Sequence, residues 1–378
     1  MRILLLAPYF PPEGGGLESY ASAMAEDLSK EHEVRIICMS RRRSSRERVR
    51  VGDSVLPVER VKAGFVISNT PLSLRFVLRV ISTVKSWNPD LIIAHTPVPS
   101  AADAGALASL LFGVPLLIVY HTVGLKKGSA TDVLASLYSR TLERFVLSRA
   151  KRIVSVSPAV RDSLQQKGFR STVVLPRPKS KLVKLDNPMG KEKVILFVGQ
   201  LSRYHSFKNF DLLLRAFSEV SPRHPDWELW VVGGGDLLDH YRSLSERLGI
   251  SGRVRFFGQV ADPKELAAIY GKATILVLPS SFESFGLVVV EGLIFDAVPV
   301  VSSAIAPNFT TLGLEDGKGL ITLRQKAELS SMLDELLSDP KALKKVFRRS
   351  IKDGILKRLS CGSKWARLLQ DPNLLEKF

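Results

Sequence analysis

Apolar runs alternate with amphipathic segments along the chain. In the first half the runs fall at 2–7, 34–39, 91–94, 116–121, 152–156 and 172–175. Helical periodicity fills the gaps at 17–30, 73–87, 100–112, 131–150 and 158–166. A second series starts at 194–198 and continues at 228–232, 254–257, 274–278, 298–302 and 320–323. Strands that are apolar throughout and separated by helices predict parallel sheets covered on both faces. The basic, turn-rich stretch between the two series reads as a linker. The expected fold class is α/β, with two doubly wound, Rossmann-like domains facing each other across a cleft. The first domain is expected over 1–178, the linker over 179–192 and the second domain over 193–360. In such sheets ligands bind outside the carboxyl ends of the strands.

The 378 residues suffice for two cores, and 45% hydrophobic with 24% charged residues is ordinary for a folded soluble protein. The two cysteines, Cys38 and Cys361, form neither a disulfide framework nor a zinc pattern, which favours a reducing cytoplasm. The run at 2–7 is too short for a secretory leader, and Pro97, Pro99, Asp103 and Pro115 interrupt the most apolar long stretch, so no membrane span is expected. The net charge of +17 is concentrated early: residues 1–190 hold 28 Lys and Arg against 15 Asp and Glu. Such a surplus is either a solvated basic surface or an attraction for a polyanionic partner, whether an acidic membrane, phosphorylated substrates or nucleic acid.

The chemistry-bearing residues cluster after predicted strands. Glu283 and Glu291 lie eight positions apart, Glu283 in a loop after the 274–278 run and Glu291 about a turn into a helix opened by Gly286. The N–H groups near Phe285, Gly286 and Leu287 would point out of that helix start and favour an anion. A pair of solvated acids is the plainer reading, but the apolar neighbours argue for partnered carboxylates. The loop Gly14–Gly15–Gly16 precedes a helix and allows close backbone approach to a phosphate or sugar; it fits neither the Rossmann nor the P-loop fingerprint. His95 and His121 each end an apolar run, where either could meet a ligand, and no spacing joins them into a metal site. Gly199 turns the chain after the 194–198 run, and Arg203 and Lys208 then precede a helix, an arrangement suited to a diphosphate that must leave as an anion. Gly233–Gly234–Gly235 repeats the strand-to-glycine pattern. In the segment 73–87, Leu74, Val77, Val80, Ile81 and Val84 share one side and Arg75 and Arg79 lie elsewhere. This helix either covers a sheet or docks on an anionic bilayer, to which the basic run 41–50 would add attraction.

These residues together resemble the retaining glycosyltransferases of family four, which have the GT-B fold. The resemblance spans nearly the whole chain. It rests on the 14–16 glycine loop with Glu18, His121, Gly199 with its downstream Arg and Lys, Gly233–Gly235, Phe257-Gly258-Gln259-Val260, Pro279-Ser280 and the two glutamates. It implies that Arg203 and Lys208 hold a donor diphosphate and that Glu291 contacts the ribose. Glu283, with backbone groups of Phe285, Gly286 and Leu287, would hold the donor sugar and phosphate. Gly15 and Gly16 would approach the diphosphate, His121 the donor sugar, and Gln259 and Val260 the base. Ser363-Lys-Trp365 resembles the segment before a final helix, so 361–378 is expected to cross back to the first domain. Gln200 stands where the family commonly has Arg, and Asn209 where Gly is usual.

The implied activity is transfer of a sugar, with retention, from a UDP- or GDP-sugar to an acceptor hydroxyl on a lipid-linked or cell-surface glycan precursor. It would need no metal and no cofactor, and would proceed in the cytoplasm or peripherally on the cytoplasmic membrane face. Three alternatives stand beside it: a GT-B protein that binds a nucleotide sugar or a partner without catalysis, an epimerase or phosphorylase on the same architecture, and a basic nucleic-acid binder. Nothing in the chain supplies a specific nucleic-acid-reading motif.

Overall fold

The computed structural model describes residues 1–13, 15–67, 70–96, 100–122, 132–178, 190–339, 343, 346, 349–359, 365 and 368–371. The chain divides into two compact units, one of Met1–Arg177 with Cys361–Phe378 and one of Pro178–Ser360.

The first unit is built on β1 (Arg2–Ala7), β2 (Glu33–Ser40), β3 (Ser45–Val51), β4 (Ser54–Lys62), β7 (Leu91–Thr96), β8 (Leu116–Tyr120), β9 (Arg152–Ser155) and β10 (Thr172–Val173), with the short antiparallel pair β5 (Phe65–Ile67) and β6 (Thr70–Leu72) beside them. The sheet order is β10-β9-β8-β7-β1-β2-β4-β3, and only β3 runs antiparallel. Ile3–Leu6, Leu91–Ala94 and Leu116–Tyr120 have no exposed surface, as strands covered on both faces require. The helices α1 (Gly16–Leu28), α2 (Leu74–Trp87), α3 (Ala101–Phe112), α4 (Asp132–Arg140), α5 (Leu142–Arg149) and α6 (Pro158–Gln166) provide the cover. Trp365, Leu368 and Leu369 join this core from the end of the chain, and Arg152 pairs with Asp371.

The second unit has β11 (Val194–Val198), β12 (Glu228–Val232), β13 (Val254–Gly258), β14 (Ile275–Leu278), β15 (Val298–Ser302), β16 (Glu315–Asp316) and β17 (Gly319–Leu323), ordered β13-β12-β11-β14-β15-β17-β16. Its helices are α7 (Phe210–Val220), α8 (Leu238–Arg247), α9 (Pro263–Lys272), α10 (Leu287–Ile294), α11 (Leu329–Ser338) and α12 (Arg349–Leu359). At the centre of each sheet the strand order reverses, between β1 and β7 and between β11 and β14. Those reversals are where an open parallel sheet leaves a crevice for a ligand.

Four expectations need correction. The helix expected over 131–150 is two helices, because the chain breaks at Thr141, whose Oγ1 donates to Leu137 O at 2.8 Å. On α2, Leu74 faces out while Phe76, Thr83 and Trp87 are buried with Val80 and Val84. The basic run 41–50 leads into β3, an edge strand on which Arg46 pairs with Glu59, so its charges protect a sheet edge. The run at 172–175 shrinks to a two-residue strand. Most of the expected linker, 179–189, lies outside the described residues, as does Gly14.

Candidate functional site

In the second unit, backbone contacts hold three neighbouring strand ends together. Gly233 N–H donates to Gly258 O, Gly199 N–H to Val232 O and Leu201 N–H to Gly234 O. At Gly233, with φ of +144°, a Cβ would fall 1.8 Å from Gly199 O. The glycines of this segment thus serve backbone approach between strand ends. Gln259 and Val260 follow Gly258 directly, beside Gly234, whose Cβ would meet Gln259 Cβ at 3.7 Å.

The chain after β11 forms a 3-10 turn, Arg203–Lys208, and Asn209 then opens α7 with φ of +52°. This left-handed conformation suits glycine, and asparagine tolerates it best among other residues. Asn209 Nδ2 donates to Pro279 O at 2.7 Å and Ser281 Oγ at 2.8 Å, while Lys326 Nζ donates to its Oδ1 at 3.3 Å. Ser281 N–H donates to Phe207 O at 2.7 Å. These bonds bind the loop after β11 to the loop after β14, across the reversal point of the sheet.

The tether brings Lys208 and Glu283 together. Lys208 Nζ lies 2.5 Å from Glu283 Oε1, with side chains only 12% and 14% exposed, and Ser280 Oγ donates to the same oxygen at 3.0 Å. Asn308, itself buried, donates to Glu283 O at 3.1 Å and Phe285 O at 3.3 Å and so fixes the loop. Gly286 caps α10 at φ of +91°, and Phe285 turns inward against Phe309. Leu287 is the first residue of α10. Glu291, a turn and more into that helix, accepts from Tyr270 Oη at 2.7 Å, and Tyr270 is stacked on Phe295. Burial, reinforced by Glu291, drives the Tyr270 phenol well above its ordinary range, so it remains a donor. Arg203 stands apart: its side chain is 83% exposed, in a loose pair with Asp236 at 3.7 Å.

In the first unit, Gly15 caps α1 and its N–H donates to Glu18 Oε2 at 2.5 Å. Burial raises the Glu18 carboxyl above its usual range, opposed by that bond. Gly16 is exposed at the helix start. Arg60, on β4, donates to Phe10 O at 2.8 Å and Pro11 O at 2.5 Å, and Glu13 accepts from Ser40 Oγ and Arg41 N–H. The loop that carries the glycines is therefore anchored by the hairpin edge of the sheet.

The two histidines meet each other. His95 Nδ1 lies 2.7 Å from His121 Nε2, both residues are buried, and Tyr20 packs edge-on against both. Burial lowers the His95 imidazole to about 3 and His121 well below its ordinary value, so both are neutral. The sequence offers each as a separate ligand contact; the β7–β8 register makes them a pair, with His95 opposite Val119 and His121 just past the strand.

Sequence reasoning missed Asn308, Tyr270 and Arg60, and it noted Ser280 beside Pro279 without giving it a partner. Their spacing to the residues they support carries no local signal. Among the described residues no group of three or more His, Cys, Asp or Glu could hold a metal ion, and no helix is long and apolar enough to cross a membrane.

Two family descriptions match the chain, "Glycosyl transferase 4-like domain" over residues 15–178 and "Glycosyl transferases group 1" over residues 181–353. An uncharacterized glycosyltransferase of Haemophilus influenzae is 30% identical over 210 residues, covering 53% of this chain and 56% of that relative, so this match spans about half of each. The D-inositol 3-phosphate glycosyltransferase of Corynebacterium aurimucosum is 26% identical over 90% of this chain and 88% of its own. Among solved structures, HepE of Anabaena in complex with UDP and glucose superposes with a TM-score of 0.71 at 20% identity, covering 98% of this chain and 99% of that one.

Proposed function

The chain belongs to the group 1 glycosyltransferases of the family-four type, with the GT-B fold, and on that premise we propose a retaining enzyme that moves a sugar from a UDP- or GDP-sugar to an acceptor hydroxyl. The observation that carries this reading is the Lys208–Glu283 pair at the reversal point of the second sheet, held by Asn209 and Asn308. Lys208 offers a largely dehydrated cation to a departing diphosphate, and Arg203 a solvent-exposed one at the other end of the same turn. Glu283 uses Oε1 for Lys208 and Ser280, which leaves Oε2 to accept from a donor-sugar hydroxyl. Glu291, oriented by Tyr270, accepts from a ribose hydroxyl, and Gln259 and Val260 border the base. In the first unit, we assign His121 a contact to a sugar and the backbone at Gly15 and Gly16 a contact to a phosphate.

In the transfer, the bond from the anomeric carbon to the diphosphate oxygen breaks and a bond to the acceptor oxygen forms on the same face. The acceptor's proton passes to the departing phosphate. Positive charge accumulates on the sugar and negative charge on the diphosphate, so the cations stabilise the transition state more than the bound donor. No metal or cofactor is invoked in this scheme. The acceptor we favour is a lipid-linked glycan precursor, used at the cytoplasmic face of a membrane. Support comes from the basic surplus of residues 1–190 and from a relative in Mycobacterium tuberculosis, 25% identical over 80% of this chain and 78% of its own, whose name, phosphatidyl-myo-inositol mannosyltransferase, gives a lipid acceptor.

A thermal-shift screen against UDP-, GDP- and ADP-sugars tests the donor, because a ligand of the folded state raises the transition by an amount that grows with the logarithm of its affinity. Lys208→Ala should lower kcat by about 100-fold or more. Near-normal transfer by this variant would refute the assignment.

A further inference from the structure

The first unit has an apolar surface that its own sheet does not use. On α3, alanines face inward: Ala101, Ala104 and Ala108 are buried. The opposite stripe is Leu107, Leu110 and Leu111, at helical spacing, with Leu110 and Leu111 51% and 56% exposed. The helices α2 and α5 both pack against α3, and α4 packs on α5. Arg149 of α5 donates to Ser109 O of α3, and Tyr138 of α4 donates to Asp103 of α3. The neighbours extend the outward stripe: Leu74 and Leu78 on α2, Leu142 and Phe145 on α5. Single exposed leucines are ordinary, but leucines outward on adjoining helices form a patch that marks an interaction surface.

Charge identifies the partner. The same helices expose Arg75 and Lys85 on α2, Arg140 on α4 and Arg144 on α5. The acids of α3 and α5 are drawn inward. Glu143 is enclosed by Tyr120, Ser139 and Lys167, and Asp103 is taken by Ser100 N–H and Tyr138. Among the described residues, α2, α3 and α5 therefore present leucines and cations without an exposed acid.

We propose that this face seats the enzyme on an anionic lipid bilayer, with the leucines in the acyl boundary and the cations against headgroup phosphates. The proposal gives a physical surface to the lipid-linked acceptor suggested above, and its purpose rests on that reading. A second copy of the chain is a poorer occupant, since a two-fold contact would set the same cations against themselves. A nucleic acid would use the cations and leave the leucines in water.

The test is flotation of the full chain with vesicles of phosphatidylcholine, with and without phosphatidylglycerol. Binding should require the anionic lipid and weaken with salt. The double variant Leu110→Glu, Leu111→Glu should bind about tenfold less or weaker still, and Arg75→Gln with Arg144→Gln should also reduce binding. Thermal shift by the nucleotide sugar should stay unchanged in both variants, which confirms that they are folded. Equal binding by wild type and the leucine double variant, or equal binding to neutral vesicles, overturns the proposal. So does a dimer in gel filtration that the leucine variant dissolves. Vesicle binding by a protein that transfers no sugar would instead count against the catalytic reading and leave this surface standing.

Discussion

His95→Phe tests the histidine pair. One proton lies between His95 Nδ1 and His121 Nε2, 2.7 Å apart. If His121 donated it, His95 would carry its own proton on Nε2, a buried atom without a hydrogen-bond partner among the described residues. Orphaned buried N–H groups are rare, and each is unfavourable by about 1–3 kcal/mol, so His95 is the donor. His121 then keeps its proton on Nδ1, which becomes its only donor. Phenylalanine at 95 fills the space but removes the donor. His121 Nε2 is left unmatched, and the first unit should lose about 1–3 kcal/mol at neutral pH. The pH dependence has a definite sign. Unfolded histidine binds a proton near pH 6.5, whereas His95 resists to about 3, so the unfolded state holds more protons between these values. Stability is unaffected above that window and falls as pH drops through it, by about 2 kcal/mol for this group on going from pH 7 to pH 5. His95→Phe should erase that increment, so the deficit of the variant should shrink on acidification. Denaturant unfolding followed by tryptophan fluorescence at both pH values measures the difference, and nitrogen-15 spectra of labelled histidine report the tautomer. A His121 proton found on Nε2 in the wild type, or a deficit that does not change with pH, refutes the reasoning.

Asn209→Gly should keep the left-handed backbone at φ of +52° but release the tether to Pro279 and Ser281, raising the donor KM several-fold with a stability loss near 1 kcal/mol; unchanged steady-state kinetics would show that the tether does not position Lys208. Gly233→Ala should destabilise the second unit by roughly 3 kcal/mol or more, since its Cβ would fall 1.8 Å from a carbonyl oxygen at a φ of +144°, and a Tm equal to wild type would contradict the close approach.

The strands that position the site were legible because they are buried on both faces and read as unbroken apolar runs, such as Ile275–Leu278 before the Glu283 loop. The helix start at Gly286 was legible for the same reason. The hairpin of β3 and β4 was not, since its alternation includes charged residues and Pro57, and Arg46 and Arg48 gave the edge strand the look of a basic tail. Residues that act through partners were equally hidden. His95 and His121 meet only through the register of neighbouring strands, and Asn308 reaches Glu283 O from a 3-10 segment beyond β15. Lys208 and Glu283 were each visible as cation and carboxylate, but their 2.5 Å contact depends on where the sheet reverses, which periodicity does not encode.

The return of the chain to its first unit has a consequence for biosynthesis. Trp365 stands edge-on to Tyr20, whose ring also covers His121, and Leu368 and Leu369 finish the same core. A ribosome delivers these residues only after the whole second unit has been made. The usual order, in which an N-terminal domain folds to completion while the next is still being translated, is therefore closed to this protein. Until residues 365–369 emerge, Tyr20 stays uncovered on the side that Trp365 closes, and the first core lacks Leu368 and Leu369.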